Sequence, residues 1–144
     1  MLRLPIRRLD PDLPLPQAMR LGDAAIDLPA RVDITIEPGS RALVPTGFAV
    51  ALPQGWCGLV LPRSGLALEH GLTVLNTPGL IDAGYRGELQ VILVNHGDQA
   101  VSIERAQRIA QFLVQPVPPV ELVEVDELPE AIDDRGEQGF GSSG

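Results

Sequence analysis

The chain has 144 residues, enough for one domain that buries roughly 68–70% of the surface its unfolded form exposes. One cysteine and two histidines exclude an internal disulfide and a usual structural zinc site, so a bound metal would be a hard cation held by oxygens. The net charge is −8, but eight acids and one arginine between Glu121 and Glu137 account for most of it. The rest of the chain is almost neutral and has no basic stripe, so nonspecific nucleic-acid binding is not expected.

Residues 1–17 contain arginines and prolines where a signal peptide needs an unbroken apolar stretch. Nowhere does the sequence approach the roughly 20 consecutive apolar residues of a membrane span. We therefore expect a cytoplasmic protein that does not bind membranes.

Fourteen prolines and fifteen glycines leave little room for a long helix. Short runs rich in branched residues lie between them and predict an all-β sandwich or barrel. Two of these runs, residues 48–52 and 91–94, are apolar throughout and need cover on both faces, which suggests burial against other subunits. The one predicted helical piece, residues 64–71, is about two turns long and closed by a glycine. In chain order, the predicted strands lie within residues 32–36, 41–53, 56–62, 72–76, 88–95, 100–104, 109–117 and 120–125.

Asp27 is the first acid with a possible chemical role, and it follows three apolar residues. It is either a buried turn acid that caps backbone amides or an acid that supports a metal-bound water.

Arg63, Ser64 and Gly65 lead from a predicted strand into the helical piece, whose first N–H groups have no partner within the helix. One interpretation is a serine N-cap followed by an ordinary turn. The other is an anion site, in which N–H donors, a hydroxyl and an arginine converge where glycine lets a phosphate approach.

The stretch from residue 72 to residue 95 predicts a β-hairpin, because two apolar runs flank several turn residues. Asp82 and Tyr85 would project from its mouth. Asp82 is either a turn aspartate that bonds its own backbone or a general base that removes a proton from water. Asn76 is either a strand-end asparagine or a reader of a base edge, since its amide both donates and accepts.

Gln111 is flanked by Ala110 and Phe112 and must face solvent or find a polar partner. The last ten residues, "RGEQGFGSSG", have too little apolar content to fold alone and predict a mobile arm. Phe140 in this arm is either incidental or stacks on a planar base, a contact worth about 1–3 kcal/mol. Arg135 could then pair with a phosphate of the same ligand.

In this order, the stretches "DAAIDLPA", "PRSGLA", "NTPGLIDAGYRGEL", "RIAQFLVQ" and "RGEQGFGSSG" resemble the five motifs of the trimeric dUTP diphosphatases, or dUTPases. The resemblance covers the chain from about residue 22 to residue 144. It implies a homotrimer of distorted jelly-roll-like β-barrels with active sites shared between subunits. We accordingly expect a barrel domain over residues 1–128 and a flexible C-terminal arm over residues 129–144. The implied reaction is hydrolysis of dUTP to dUMP and pyrophosphate, with Mg²⁺ on the triphosphate.

The resemblance also implies roles for individual residues. Asp82 is the general base for the water that attacks the α-phosphorus, Tyr85 lies under the deoxyribose and leaves no space for a 2′-hydroxyl, and Asp27 supports a water bound to Mg²⁺. The implied substrate-binding residues are Asn76, the backbone around Leu80, Ile81 and Gln90, and Phe140 for uracil, and Arg63, Ser64, Gly65, Gln111 and Arg135 for the phosphates.

Two residues depart from the family pattern, since Ala25 and Gln138 stand where glycines are usual in the first and fifth motifs. We expect Gln138 to alter how the arm closes, because glutamine does not tolerate positive φ as glycine does. Two alternatives stay open. A dCTP deaminase shares the barrel but typically lacks the third-motif acid and tyrosine and the arm. A non-catalytic trimeric nucleotide-binding protein would have no need of the base.

Overall fold

The computed structural model describes residues 2–17 and 22–130, and their regular structure is almost entirely β. The one helix described has seven residues, so none within these ranges is long and apolar enough to cross a membrane. In chain order the elements are β1 (Ile6–Arg8), β2 (Ile26–Pro29), β3 (Ile34–Ile36), β4 (Arg41–Pro45), β5 (Phe48–Val50), β6 (Trp56–Leu61), α1 (Ser64–His70), β7 (Leu72–Val74), β8 (Gly79–Ile81), β9 (Gln90–Asn95), β10 (Val101–Ile103) and β11 (Arg108–Pro116).

The strands form four small antiparallel sheets, with the orders β2-β11-β6-β8, β4-β9-β7, β1-β5 and β10-β3. In the largest sheet, β11 pairs with β6 from Gln111 opposite Leu61 to Pro116 opposite Trp56. The other edge of β11 pairs with β2. The predicted all-β class is confirmed, but the described residues alone do not close these sheets into a barrel.

The core lies between the two larger sheets and is built from alternate residues of their strands. Val91 and Leu93 of β9 are 1% exposed, and Val60 and Phe112 of the facing sheet are 3% and 2% exposed. Burial of such a side chain stabilises the fold by about 1.5–3 kcal/mol.

The two apolar runs, residues 48–52 and 91–94, do not need a second subunit to cover both of their faces. All three residues of β5, Phe48–Val50, are buried within the single chain, because β1 and the core cover them. On β9 only Gln90 is exposed and Ile92 half-buried. The apolar character of these strands therefore gives no information about other subunits.

The helix and most strand predictions are confirmed. Helix α1 ends at Gly71, whose φ of 66° is left-handed and whose N–H bonds to the Ala67 carbonyl. Residues 120–125 form no strand and are exposed, so that prediction is wrong: a short run rich in branched residues forms a strand only beside a partner, and none lies beside it in the described ranges. Three short strands, β1, β2 and β8, were not predicted, because they are set by pairing with distant residues.

The N-terminal segment, residues 2–13, is attached to the turn between β4 and β5. Strand β1 pairs with β5, and the Leu9 N–H donates to the Gly47 carbonyl at 2.7 Å. Leu13 is fully buried. This segment, which carries no sequence motif, is thus an integral part of the fold.

Asp10 fixes the same segment electrostatically. Both of its carboxylate oxygens accept hydrogen bonds from Arg105 Nη2 at 2.9 Å, and its Oδ2 lies 3.5 Å from Arg31 Nε. Burial raises the pKa of this carboxyl, but the hydrogen bonds from Arg105 and the Asp12 N–H, with the charges of Arg105 and Arg31, outweigh burial. The pKa of Asp10 is therefore held below its ordinary value.

Gly47 is expected to be intolerant of alanine. Its φ of 81° is left-handed, and a Cβ there would lie 2.7 Å from Leu13 Cδ1. We expect Gly47→Ala to lower the free energy of unfolding by about 1–2 kcal/mol for the backbone and by about 1–3 kcal/mol for overpacking. Gly39→Ala is the matched control, since its φ is 73° but no atom lies within 4 Å of its Cβ position. Equal losses in urea denaturation would show that contact with Leu13 contributes nothing.

We expect the contribution of Asp10 to the free energy of unfolding to be present at neutral pH and lost in acid. Since its folded pKa lies below the unfolded value of about 3.9, the ionised carboxylate stabilises the fold above that pH, and this contribution disappears as the pH falls through the folded pKa. We expect Asp10→Asn to melt at lower temperature than the parent at neutral pH, with the two melting temperatures converging in acid. Asp12→Asn, an exposed neighbour, should melt like the parent. A difference for Asp10→Asn that persists unchanged in acid would contradict this assignment.

Candidate functional site

Several of the predicted site residues meet where β2, β11 and β6 lie side by side. Gln111 on the central strand is opposite Asp27 of β2 and Leu61 of β6, and Leu61 leads through Pro62 into Arg63. A cleft of about 340 Å³ opens here, lined by Asp23, Ala24, Ala25, Asp27, Leu61, Gln111 and Leu113. Strand register, and not proximity in sequence, brings these residues together.

Asp27 lies between two arginines. Its Oδ1 is 3.1 Å from Arg63 Nε, and its Oδ2 accepts a hydrogen bond from Arg108 Nη1 at 3.0 Å. The interpretation of Asp27 as a turn acid that caps backbone amides is therefore wrong, because the residue is on a strand and its carboxylate binds side chains. One positive charge remains in excess in this cluster of Asp27, Arg63 and Arg108, which we call the arginine cluster.

Arg108 is a site residue that the sequence reasoning did not select. It is 81 residues from Asp27 in sequence, and only the β11–β2 pairing reveals the contact. Arg63 donates from Nη1 to the Arg108 carbonyl at 3.1 Å, which ties the two arginines to each other. A single sequence gives no sign that Arg108 contacts Asp27. The only weak signal was that Arg108 lies three residues before Gln111.

Gln111 does not face solvent as an ordinary strand glutamine would. It is half-buried, and its Nε2 donates to the Pro62 carbonyl at 2.8 Å. This bond holds the residue that precedes Arg63, so Gln111 helps to fix the position of the arginine cluster.

The serine N-cap interpretation is wrong. Arg63 is the N-cap, with extended φ and ψ of −96° and 125°, and Ser64 is already the first helical residue. No side chain caps the helix, and Ser64 and Gly65 are exposed. Nothing lies within 4 Å of a Cβ position at Gly65, so the helix start is open on that side.

The predicted hairpin is confirmed, with an addition. Strands β7 and β9 pair antiparallel from Leu72 opposite Asn95 to Val74 opposite Leu93. The connection between them contains β8, which pairs with β6 and forms an edge of the largest sheet. The predicted uracil-binding residues other than Phe140 lie on this hairpin: Asn76, Leu80 and Gln90 are exposed, and Ile81 is half-buried.

Asp82 follows β8 and begins a turn. Its backbone carbonyl accepts the Tyr85 N–H at 3.1 Å, but its carboxylate is exposed and makes no hydrogen bond or ion pair with residues 2–17 or 22–130. The turn is therefore closed by the Asp82 backbone and not by its side chain. The Tyr85 hydroxyl donates to the Glu88 carbonyl at 2.8 Å, with the side chain 42% exposed.

A single chain does not bring Asp82 to the arginine cluster. Ile81 pairs with Gly58, so Asp82 lies near Cys57, at the opposite end of β6 from Arg63. The six residue-to-residue steps from Cys57 to Arg63 span about 20 Å at a strand rise of about 3.3 Å per residue. Asp82 instead lines a second cleft with Trp56, Cys57 and Ala83.

The predicted arm residues Arg135 and Phe140, and Gln138 beside them, lie outside the described residues. Within residues 2–17 and 22–130, no group of three or more His, Cys, Asp and Glu side chains is arranged to hold a metal ion.

Comparison with known proteins identifies the family. A sequence model of the dUTPase family matches residues 12–144. The deoxyuridine 5'-triphosphate nucleotidohydrolase of Nocardia farcinica is 53% identical over 142 residues, which cover 98% of this chain and 85% of the relative. The protein of that name from Mycobacterium bovis is 55% identical over 145 residues, covering 98% of this chain and 94% of the relative.

Solved structures agree with this match. The Staphylococcus bacteriophage 80alpha dUTPase with dUPNHPP superposes with a TM-score of 0.89 at 30% identity, over 99% of this chain and 98% of that one. A mutant dUTPase from phage phi11 of S. aureus, whose structure is described as revealing the coordination of a structural Mg(II) ion, has a TM-score of 0.80 at 25% identity, over 87% and 97% of the two chains. The chain therefore belongs to the dUTPase family.

Proposed function

We propose that this protein hydrolyses dUTP to dUMP and pyrophosphate, with Asp82 as the general base. The observation that carries the proposal is the exposed carboxylate of Asp82 beside Tyr85, which has no partner among residues 2–17 and 22–130. A purely structural turn aspartate would bond its carboxylate to its own backbone. The names of the relatives support the same reaction.

In the proposed step, the Asp82 carboxylate accepts a proton from a water as the water oxygen forms its bond to the α-phosphorus. The bond between the α-phosphorus and the bridging oxygen breaks, and this oxygen leaves with pyrophosphate. The protein forms no covalent bond to substrate. Its contribution is to place the water in line and to neutralise charge.

The arginine cluster is the proposed binding site for the phosphates. Arg63 and Arg108 share the Asp27 carboxylate, and their guanidinium groups suit bidentate contacts with phosphate. The exposed hydroxyl of Ser64 and the open backbone at Gly65 extend the proposed site. Gln111 holds the strand end that leads into Arg63, because its side chain bonds to the Pro62 carbonyl.

Magnesium fits this site as a metal carried by the triphosphate. Both carboxylate oxygens of Asp27 already contact arginines, yet each retains a lone pair that can accept a hydrogen bond from a water of the hydrated ion. Direct ligation would cost one of these arginine contacts. When bound, Mg²⁺ neutralises charge on the phosphates. The phage phi11 dUTPase coordinates a structural Mg(II) ion, which shows that one relative of this chain binds the metal.

Uracil is proposed to bind along the open edge of β8. Among residues 2–17 and 22–130 this strand pairs only with β6, so its other edge leaves N–H and C=O groups around Leu80 and Ile81 open to a ligand. Asn76 lies where the connection approaches β8, and Gly79 leaves room for its amide, because a Cβ there would be 3.3 Å from Asn76 Nδ2. Gln90 flanks this edge from β9.

The separation of about 20 Å along β6 supports sites shared between subunits, and the resemblance to the trimeric family supports a homotrimer. A base and a phosphate site that act on one triphosphate must lie within a few ångströms of it, so the hairpin of one subunit is proposed to meet the arginine cluster of another. We further propose that the subunits are distorted jelly-roll barrels. The arm over residues 129–144 would supply Arg135 to the γ-phosphate and Phe140 to stack on uracil.

The nucleotide panel is the direct test of function. With Mg²⁺ present, we expect pyrophosphate release from dUTP and little or none from dTTP, dCTP or UTP. Ammonia released from dCTP would support a deaminase, and binding without turnover would support a nucleotide-binding protein that lacks catalysis.

The role of Asp82 is tested by Asp82→Asn. It should keep nucleotide affinity but lose about 10²–10⁴-fold in kcat, the usual contribution of a general base. Asp98→Asn, another exposed acid without a partner in the described ranges, is the control and should retain parent activity. Parent rates in Asp82→Asn would rule out the base assignment.

Shared sites are tested by mixing subunits. Refolding Asp82→Asn with Arg63→Ala chains should recover activity, because some sites then combine an intact hairpin with an intact arginine from different subunits. Each variant refolded alone is the control. If the site lay within one chain, every site in the mixture would carry a defect and no activity would return.

A further inference from the structure

The turn from Asp82 to Glu88 lies at the protein surface and is stabilised largely by bonds within itself. Tyr85 N–H bonds to the Asp82 carbonyl, and Arg86 Nη1 donates to the carbonyls of Ala83 and Tyr85 at 2.6 and 2.8 Å. These contacts set the shape of the turn but not its position relative to the core. Its position depends on how the chain is attached at both ends, through the pairing of Ile81 with Gly58 on one side and at Glu88 on the other.

Glu88 is firmly attached to the turn between β4 and β5. Its Oε1 accepts the Gly47 N–H at 2.7 Å, and Arg31 Nη1 lies 3.4 Å from both carboxylate oxygens. The side chain is only 18% exposed. The adjacent Leu89 adds three backbone contacts: its carbonyl accepts from the Thr46 N–H and Oγ1, and its N–H donates to the Phe48 carbonyl.

Arg31 is itself held in place from two sides. Its backbone N–H donates to the Pro45 carbonyl at 2.8 Å, and its Nη2 donates to the Leu9 carbonyl at 3.4 Å. Its Nε lies 3.5 Å from Asp10, which is in turn bound by Arg105. A continuous set of polar contacts thus runs from the N-terminal segment through Arg31 to Glu88.

The set of polar contacts that runs through Arg31 to Glu88 ends at Tyr85, because the Tyr85 hydroxyl donates to the backbone carbonyl of Glu88. The Glu88 carboxylate fixes the residue whose carbonyl holds the tyrosine ring. We propose that Glu88 is a positioning residue that sets the place of Tyr85 and Asp82, and through Tyr85 the discrimination between deoxyribose and ribose. This inference rests on the proposed function.

A positioning role for Glu88 can be distinguished from a role in fold stability alone. Loss of folded protein lowers the rates with dUTP and UTP by the same factor, so their ratio stays constant. A displaced Tyr85 ring changes the ratio, because the space under the sugar is what excludes the 2′-hydroxyl. The ratio of kcat/KM for dUTP to that for UTP is therefore the diagnostic quantity.

The variants are Glu88→Ala and Glu88→Gln in the full chain. Alanine removes both contacts of the carboxylate, whereas glutamine keeps an acceptor for the Gly47 N–H and loses the charge opposite Arg31. Glu37→Ala is the matched control, because its side chain is exposed and unpaired within the described ranges. Should alanine prevent folding, Glu88→Gln carries the test alone.

We expect Glu88→Ala to lower kcat/KM for dUTP about tenfold and to reduce the dUTP to UTP ratio about fivefold, with Glu88→Gln between it and the parent. Glu37→Ala should leave both unchanged. Hydrogen exchange should accelerate about tenfold at the Tyr85 amide while amides of β9 stay protected. An unchanged ratio together with unchanged exchange at Tyr85 in the folded variants would overturn the proposal.

Hydrogen exchange at the Tyr85 amide also tests the positioning role of Glu88 independently of the proposed function. If the parent releases no pyrophosphate from dUTP, the proposed function fails. Faster exchange at the Tyr85 amide in Glu88→Ala would then still show that Glu88 holds the turn, and unchanged exchange would overturn the positioning role as well.

Discussion

The double pairing of β11 is the constraint on which the arginine cluster depends. This strand bonds to β2 on one side and to β6 on the other, with Gln111 opposite both Asp27 and Leu61. The register brings Arg63 and Arg108 to the two oxygens of one carboxylate. A shift of one residue in either pairing would turn these side chains to the opposite face of the sheet. Register therefore decides where phosphate could bind.

The same sheet separates the chemical groups of one chain. Strand β6 carries the hairpin at one end and Arg63 at the other, so its length keeps Asp82 away from the arginines. The hairpin itself is positioned by a different part of the molecule, the turn between β4 and β5, through the contacts of Glu88 and Leu89. Two different supports thus hold Asp82 and the arginine cluster, which lie apart within one chain.

The N-terminal segment contributes to one of these supports. Leu13 is buried against the turn at Gly47, and Asp10 holds Arg31, the cation that faces Glu88. A segment without any recognisable motif therefore supports the hairpin that carries Asp82 indirectly, through Arg31 and the turn at Gly47. Its residues are selected by packing and charge, which leave no local sequence pattern to recognise.

The sequence by itself determined the strand-rich class, helix α1 with its closing glycine, the hairpin and the family, because these depend on local patterns of turn residues, periodicity and motif order. Residues 120–125 show the limit of such patterns, since this run of branched residues has no partner strand among residues 2–17 and 22–130 and is irregular. Only the tertiary structure decided that Asp27 contacts two arginines, that Ser64 is not the cap, and that Asp82 stands apart from Arg63. Those facts depend on strand register between residues far apart in the chain, which no local pattern encodes.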